Sequence, residues 1–423
     1  MKLEEYQVIG ANFLAENFHA LLADEMGSGK CAQTIKACDI VYANSVLIVC
    51  PASVKYHWQN EFELWSNRKY IIDIVMDGRH RIDLNANVII INYELLLRDR
   101  IFNILKNIKW DVIVCDESQY LKSLTSQRSK RVLGSFGLAK EAKYKWMLTG
   151  TPIENRPVDL FPILYTLGRK HLGKYNSYES FVMQFCDGYY DHVSGQPMPN
   201  GATNELELKE VLKGFMLRRL LTESLPKTDV QIMRLKKNLD LNFIENQGLS
   251  SGAYYKPMAE LGALASLRQE VALAKLPQCI EYIRDTLRIV DKLVVFAYHR
   301  SVINQLAEAL PKFFPVKFYG GLTSGQRENV KNYFINDPKS KVFIGQLKAA
   351  GVGLDGLQKV CHHMIFVEID WIPFKQCIGR LRRMGQKEDK VIVQLLVCKG
   401  SIEEQMLGSV NSKLNSIDKI LGD

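Results

Sequence analysis

Short apolar runs rich in β-branched residues recur along the chain: Ser45 to Cys50, Val88 to Asn92, Val112 to Cys115, Trp146 to Leu148, Leu293 to Ala297, Lys341 to Ile344, Met364 to Val367 and Val391 to Val397. Most are continuous rather than alternating, the pattern of strands covered on both faces, as in parallel sheets. Longer mixed segments such as Cys31 to Tyr42 and Val302 to Leu310 separate them and are able to form crossover helices. Strand and helix in alternation predict an α/β chain. The runs form an early and a late group, and 423 residues exceed one compact core. Two parallel-sheet domains are therefore expected, over 1–155 and 291–423. The interval 156–290 has fewer strand signals and more helical text, including Leu206 to Arg219 and Ala259 to Ala274, and is expected to be a mainly helical insertion and linker. Within it Asp187 to Asn204, rich in Gly, Pro, Asn and Tyr, reads as an exposed loop.

Composition narrows the partners. Lys and Arg number 55 against 46 Asp and Glu, a formal charge of +9 that favours polyanions over acidic partners. Nine cysteines are scattered without a CxxC pair, which points to a reducing compartment rather than a disulfide framework. Cys361-His362-His363 adjoins an apolar run and reads as strand-end packing rather than a metal cluster. No stretch stays apolar for the ~20 residues of a membrane span, and the charged N-terminus lacks a signal-type core. A soluble monomer with no membrane partner is the expectation, cytoplasmic, or nucleoid-associated in a bacterial or viral source, with a nuclear location left open.

The chemistry begins at Gly27-Ser28-Gly29-Lys30-Cys31, which opens a helix-compatible segment. Glycines at 27 and 29 let backbone N–H groups turn inward around a phosphate, the following helix start favours negative charge, and Lys30 reaches the β- and γ-phosphates. Downstream, the apolar strand Val112 to Cys115 ends in Asp116 and Glu117, which places Asp116 in a metal's coordination shell and Glu117 beside an attacking water. In this order the two elements read as a nucleotide site for ATP and Mg2+. Phosphoryl transfer also needs positive charge where the γ-phosphate develops negative charge. Arg380 and Arg383, three apart and so on one helical face, supply it from the late domain. Their distance in sequence from Lys30 suggests a site completed by lobe closure. Elsewhere Lys55, Arg218, Arg219, His299 and Arg300 offer charge to a nucleic acid, while Trp58, Tyr93 and Trp371 either stack on bases or pack in the interior.

In order and over nearly the whole chain, these elements resemble the Swi/Snf-like branch of the superfamily-two helicases. Leu3-Glu4-Glu5-Tyr6-Gln7 is similar to the family's adenine-reading motif, with Gln7 in the reading position. Leu47 to Pro51 with Trp58 and Glu61-Phe62, then Asn92-Tyr93-Glu94, resemble the next motifs. Leu148-Thr149-Gly150-Thr151-Pro152 matches the turn that couples hydrolysis to the nucleic-acid groove. Met216-Leu217-Arg218-Arg219 followed by Leu225-Pro226-Lys227 resembles a signature of this branch in particular. Val295 to Arg300, Gly320 to Arg327, Gly351 to Leu354 and Asp370-Trp371-Ile372-Pro373 continue the likeness. Arg156 to Leu160 and Phe296 to Arg300 look most like the annealing helicases and fork remodellers. The resemblance implies two RecA-like lobes and ATP-driven tracking along double-stranded DNA without extensive strand separation, through backbone contacts blind to sequence. It also implies nucleic-acid contacts at Lys55, Asn92, Tyr93, Thr149, Thr151, His299, Arg300, Gly351 and Trp371.

Four positions depart from the family pattern. Cys31 stands where the family has threonine, and a thiol is a poor ligand for hard magnesium. Gln119 replaces the usual histidine but still donates and accepts, so altered coupling is expected rather than loss. Gly379 and Asp355 stand where aspartate and asparagine are usual. Two readings follow: an active DNA-stimulated ATPase and duplex translocase, or a nucleotide-gated nucleic-acid-binding protein with vestigial hydrolysis. An A-form RNA helix stays open as a substrate.

Overall fold

The computed structural model describes residues 2–153, 156–220, 225–235, 258–350, 354–383, 385–404 and 406–407. The chain folds as two compact units, the first reaching Leu221 and the second running from Thr222 to Ser412. Each is built on its own parallel sheet.

The first sheet holds seven strands in the order β3-β4-β2-β5-β6-β1-β9. They are β1 (His19–Leu22), β2 (Val46–Cys50), β3 (Ile72–Ile74), β4 (Val88–Asn92), β5 (Val112–Asp116), β6 (Tyr144–Leu148) and β9 (Met216–Leu217). Their apolar runs have a direct cause: alternate residues feed cores on opposite faces. Leu47, Val49, Ile89 and Ile91 join one cluster, while Val46, Ile48, Val88 and Ile90 join the other. The first helices are α1 (Glu5–Glu16), α2 (Lys30–Ile40) and α3 (Lys55–Trp65). A small antiparallel pair, β7 (Tyr189–Tyr190) and β8 (Pro197–Met198), forms within the segment expected to be a loop.

The second sheet runs β10-β15-β14-β11-β13-β12. Its strands are β10 (Lys227–Leu235), β11 (Leu293–Ala297), β12 (Val316–Phe318), β13 (Val342–Gln346), β14 (His363–Phe366) and β15 (Lys390–Cys398). Again the faces alternate, Val294 and Phe296 into one core and Leu293, Val295 and Ala297 into the other. Among the described residues no helix is long and apolar enough to cross a membrane.

The segment 156–290 differs from the expected insertion, because the structure divides it between the two units. Leu206 to Arg219 is not one helix: the helix Glu205–Leu212 stops before Gly214, whose φ of 75° suits glycine. Met216–Leu217 then pairs with β1 in the first sheet. Lys227–Leu235 lies along β15 in the second. The helical expectation near Ala259 is met by a helix over Met258–Thr286. Cys361 and His363 pack as expected of a strand start, the thiol donating to the Lys292 and His363 carbonyls at 3.3 and 3.2 Å and the ring meeting Gln394 at 3.1 Å.

Candidate nucleotide site

β1 delivers the chain into a turn shaped by glycine: Gly27 and Gly29 have φ of 84° and 71°, and Gly29 caps α2. Such left-handed backbone costs glycine little and turns N–H groups toward a common point at a helix N-terminus. Ser28 is buried, and its hydroxyl oxygen has no protein partner. Lys30 folds back on this turn, donating to the carbonyls of Asp24 and Glu25 at 2.8 and 3.1 Å. Burial lowers its pKa, opposed by Glu117, Asp24 and Asp116. Above the turn, Gln7 on α1 donates to the Ser28 carbonyl at 3.1 Å, so its amide stands at the nucleotide turn.

β5 carries the carboxylates. Burial, reinforced by the neighbouring Glu117, pushes Asp116 up to about 6. Trp58 opposes that rise by donating its indole N–H to Asp116 Oδ2 at 2.9 Å. Glu117 follows in a left-handed conformation, φ 51° and ψ 54°, which is costly for a side chain with a Cβ and recurs at functional sites. Its Oε2 accepts from Gln119 Nε2 at 2.6 Å. Gln119 Oε1 in turn accepts from Thr149 Oγ1 at 2.7 Å, and Thr149 Oγ1 from the Thr151 backbone N–H at 3.0 Å. A continuous chain of hydrogen bonds thus runs from Glu117 to the Gly-Thr-Pro turn, with Gln119 using both ends of its amide.

Cys31, the second residue of α2, is partly buried. Burial first, then Asp116 and Glu61, holds its thiol well above the ordinary range. A neutral thiol is what the site presents.

Several expected nucleic-acid contacts in the first unit are inside it. Lys55 is 5% exposed, its ammonium donating to the Val75 carbonyl at 2.7 Å and to Asn92 Oδ1 at 3.4 Å. Asn92 is buried and donates to Glu94 at 2.8 Å. Tyr93 is fully buried, stacked on Tyr120 at 5.2 Å with its hydroxyl on the Asp116 carbonyl. Trp58 is fully buried as well. Thr149 is buried in the chain of bonds above, and Thr151 is half-buried. The exposed charge expected of Lys55 is not available here, because its ammonium is spent on Val75 and Asn92, and of the two readings of Tyr93 the structure has interior packing, with its hydroxyl on the Asp116 carbonyl. Arg218 and Arg219 also turn inward. Arg218 donates to the Ala23 carbonyl at 2.9 Å, and Arg219 grips Asp24.

In the second unit Arg300 is exposed, its guanidinium 4.4 Å above the Tyr319 ring. His299 is half-buried against Glu368, Nδ1 to Oε1 2.5 Å. The helix Trp371–Ile378 ends before Arg380 and Arg383, which follow in turns rather than on the expected helical face. Arg380 donates to the Leu354 carbonyl at 3.0 Å, and Arg383 to Asp355 at 2.6 Å. Trp371 begins the helix, its side chain lying outside the described residues, as does Gly351.

A glycine turn that hands α2 a half-buried lysine, with a strand-end carboxylate pair at hand, is the equipment of a P-loop protein for nucleoside triphosphates. The chain belongs to the family of the SNF2-related domain, which matches residues 6–278. It is 30% identical over 444 residues to "DNA annealing helicase and endonuclease ZRANB3" of Homo sapiens, across 97% of this chain and 40% of that protein. The "SWI/SNF-related matrix-associated actin-dependent regulator of chromatin subfamily A-like protein 1" of Xenopus laevis is 29% identical over 447 residues, 99% of this chain and 44% of its own. This chain therefore spans well under half the length of these relatives. The "Sulfolobus solfataricus SWI2/SNF2 ATPase core in complex with dsDNA" is 24% identical with a TM-score of 0.48, covering 99% of this chain and 97% of that one.

Proposed function

We propose that this chain is a DNA-stimulated ATPase that moves along double-stranded DNA and remodels DNA or protein-DNA complexes without extensive strand separation. The observation that carries the proposal is the chain of hydrogen bonds from Glu117 through Gln119 to Thr149 and Thr151, which ties the hydrolytic carboxylate to a turn outside the phosphate site. The name of the human relative, a DNA annealing helicase, supports the choice of nucleic acid.

The residues fit ATP. An orphaned Ser28 hydroxyl, two left-handed glycines and a half-buried ammonium leave the turn short of an anion. Lys30 would exchange its carbonyl partners for phosphate oxygens, and Gln7 would read the base. Magnesium, held by Asp116 together with phosphate oxygens and water, would neutralise charge on the phosphates. Glu117 orients the attacking water, its carboxylate aimed by Gln119. Arg380 and Arg383, from the second unit, are assigned to the charge developing on the transferred group.

The neutral Cys31 favours the second reading, a nucleotide-gated binder with vestigial hydrolysis, to the extent that magnesium depends on this position. Measuring ATP hydrolysis with and without duplex DNA separates the two. DNA-stimulated turnover with ATP-dependent triplex displacement and little unwinding of a fork supports the translocase. Strong unwinding without triplex displacement would transfer the chain to the strand-separating helicases.

A further inference from the structure

Asp24 closes β1 just ahead of the glycine turn, and its carboxylate is fully buried. A buried carboxylate needs a partner with matching geometry, and the partner comes from 195 residues downstream, just past β9. Arg219 donates from Nε to Asp24 Oδ1 at 3.0 Å and from Nη2 to Oδ2 at 2.5 Å, the two-pronged arrangement a guanidinium makes with a carboxylate. The same guanidinium reaches Gln33 Oε1 on α2 at 3.0 Å and bonds the Tyr6 carbonyl on α1. It also lies 5.6 Å from the centre of the Tyr6 ring.

Two of the residues Arg219 holds, Tyr6 and Gln33, meet Gln7 at one atom. The Ser28 carbonyl accepts from Gln7 at 3.1 Å, from Gln33 at 3.2 Å and from the Tyr6 hydroxyl at 3.2 Å. The helix carrying Gln7 is thus fastened to the phosphate turn beside Tyr6 and Gln33, the two residues Arg219 holds there. Gly10 on α1 gives independent support. A Cβ there would stand 1.7 Å from Gln33 Oε1 and 2.7 Å from Arg219 Nη2, so the helix face is bare where the guanidinium passes.

We propose that Arg219 is a positioning residue for the nucleotide base: it locks the base-reading helix α1 to the head of the P-loop, and so sets ATP affinity and adenine selectivity rather than the rate of the chemical step. This rests on the reading of the site as an ATP site with Gln7 at the base. Lysine at 219 keeps the charge but loses the fork, which avoids stranding Asp24 alone in the interior. Gly10→Ala disturbs the same contact from the other side with every charge intact.

The test measures dissociation constants for fluorescent ATP and GTP analogues, and KM and kcat with saturating duplex DNA. The wild-type chain is compared with Arg219→Lys, Gly10→Ala and Gln7→Ala. Both Arg219→Lys and Gly10→Ala should weaken ATP about tenfold, narrow the preference for ATP over GTP as Gln7→Ala does, and leave kcat at saturating ATP within about threefold. If Gln7→Ala narrows the preference and the other two do not, Arg219 is only a staple and the proposal fails. If kcat collapses at unchanged KM, Arg219 acts on the chemistry and the proposal fails. Should Gln7→Ala leave selectivity untouched, the base-reading premise falls and takes the proposal with it. Because binding is measured apart from turnover, a chain that binds selectively but does not hydrolyse would overturn the ATPase reading alone.

Discussion

The cations at the nucleotide end of the first unit and those of the candidate segments of the second live in different media. Lys30, Lys55 and Arg219 are each held by carbonyls or by a buried carboxylate. Arg300 is exposed on a tyrosine ring, while Arg383, itself only 19% exposed, lies between the two kinds and pairs with the exposed Asp355. Removing a cation of the first kind strands its buried partners, a large cost. Removing one of the second kind forfeits an interaction that salt already screens. The first unit is therefore built in advance of its ligand. The second keeps the positive charge of Arg300 available for one.

The largest effects should come where charge meets the phosphoryl group. Lys30→Ala, Glu117→Gln and Arg383→Ala should each lower DNA-stimulated turnover by about a thousandfold or more, with nucleotide binding best kept in Glu117→Gln. Parent-rate hydrolysis by Arg383→Ala would end its assignment and leave Arg380 as the second unit's proposed catalytic cation. Next, Gln119→Ala should cost about a hundredfold in the DNA-stimulated rate and less in the basal rate, since it cuts the link between Glu117 and Thr149. Equal losses in both rates would make Gln119 a simple orienter of Glu117.

Lys55 and Arg300 test the comparison itself. Arg300→Ala should reduce the salt slope of DNA binding by about one, evenly across sequences. Lys55→Met should leave that slope alone and lower the melting temperature, because it leaves the Val75 carbonyl without its donor. A change of slope in the Lys55 variant would mean that its burial is relieved on DNA.

Asp116 gives the pH-dependent case. Its folded pKa of about 6 stands above the ordinary aspartate value of 3.8, so the folded chain holds this proton more tightly than the unfolded one. Ionising it costs stability, fully above pH 6 and not at all below the unfolded value. Asp116→Asn should therefore raise stability near pH 8 by at most about 3 kcal/mol, the advantage shrinking as pH falls through 6 toward 4. Turnover of the parent should fall through the same window. Melting temperatures taken across pH check the sign, and a constant advantage would place the cause elsewhere. The smallest effect is expected at Cys31, where threonine should raise turnover by a few-fold through a better magnesium ligand. A lower rate in Cys31→Thr, with selective stimulation of the parent by cadmium or manganese, would make the thiol a working ligand.

Much of the fold was legible because most strands are buried on both faces and so read as uninterrupted apolar text. β10 was missed for the opposite reason: it is an edge strand whose residues are alternately exposed and half-buried. β9 is two residues long and has meaning only beside β1. At the site, Lys30, Asp116 and Glu117 were legible because the turn and the strand end that define them are local. The bond from Trp58 to Asp116 spans 58 residues, and that from Arg219 to Asp24 spans 195. No window of sequence contains both partners, and a lysine that ends up buried is spelled like one that does not. The Gln119 bridge was half visible: the side chain's capacity to donate and accept was plain, but not its two partners.

Trp58 has a use beyond holding a carboxylate. Its indole is wholly shielded from water while its N–H rests on Asp116, so its emission should be blue-shifted and should respond to the charge on that group. Protonating Asp116 near pH 6, or drawing its charge toward a divalent ion, changes the field along the indole and with it the emission. The chain has only five tryptophans, and a Trp58→Phe variant supplies the blank. The protein thus carries its own optical probe of the catalytic carboxylate, readable in a stopped-flow cell with no label attached.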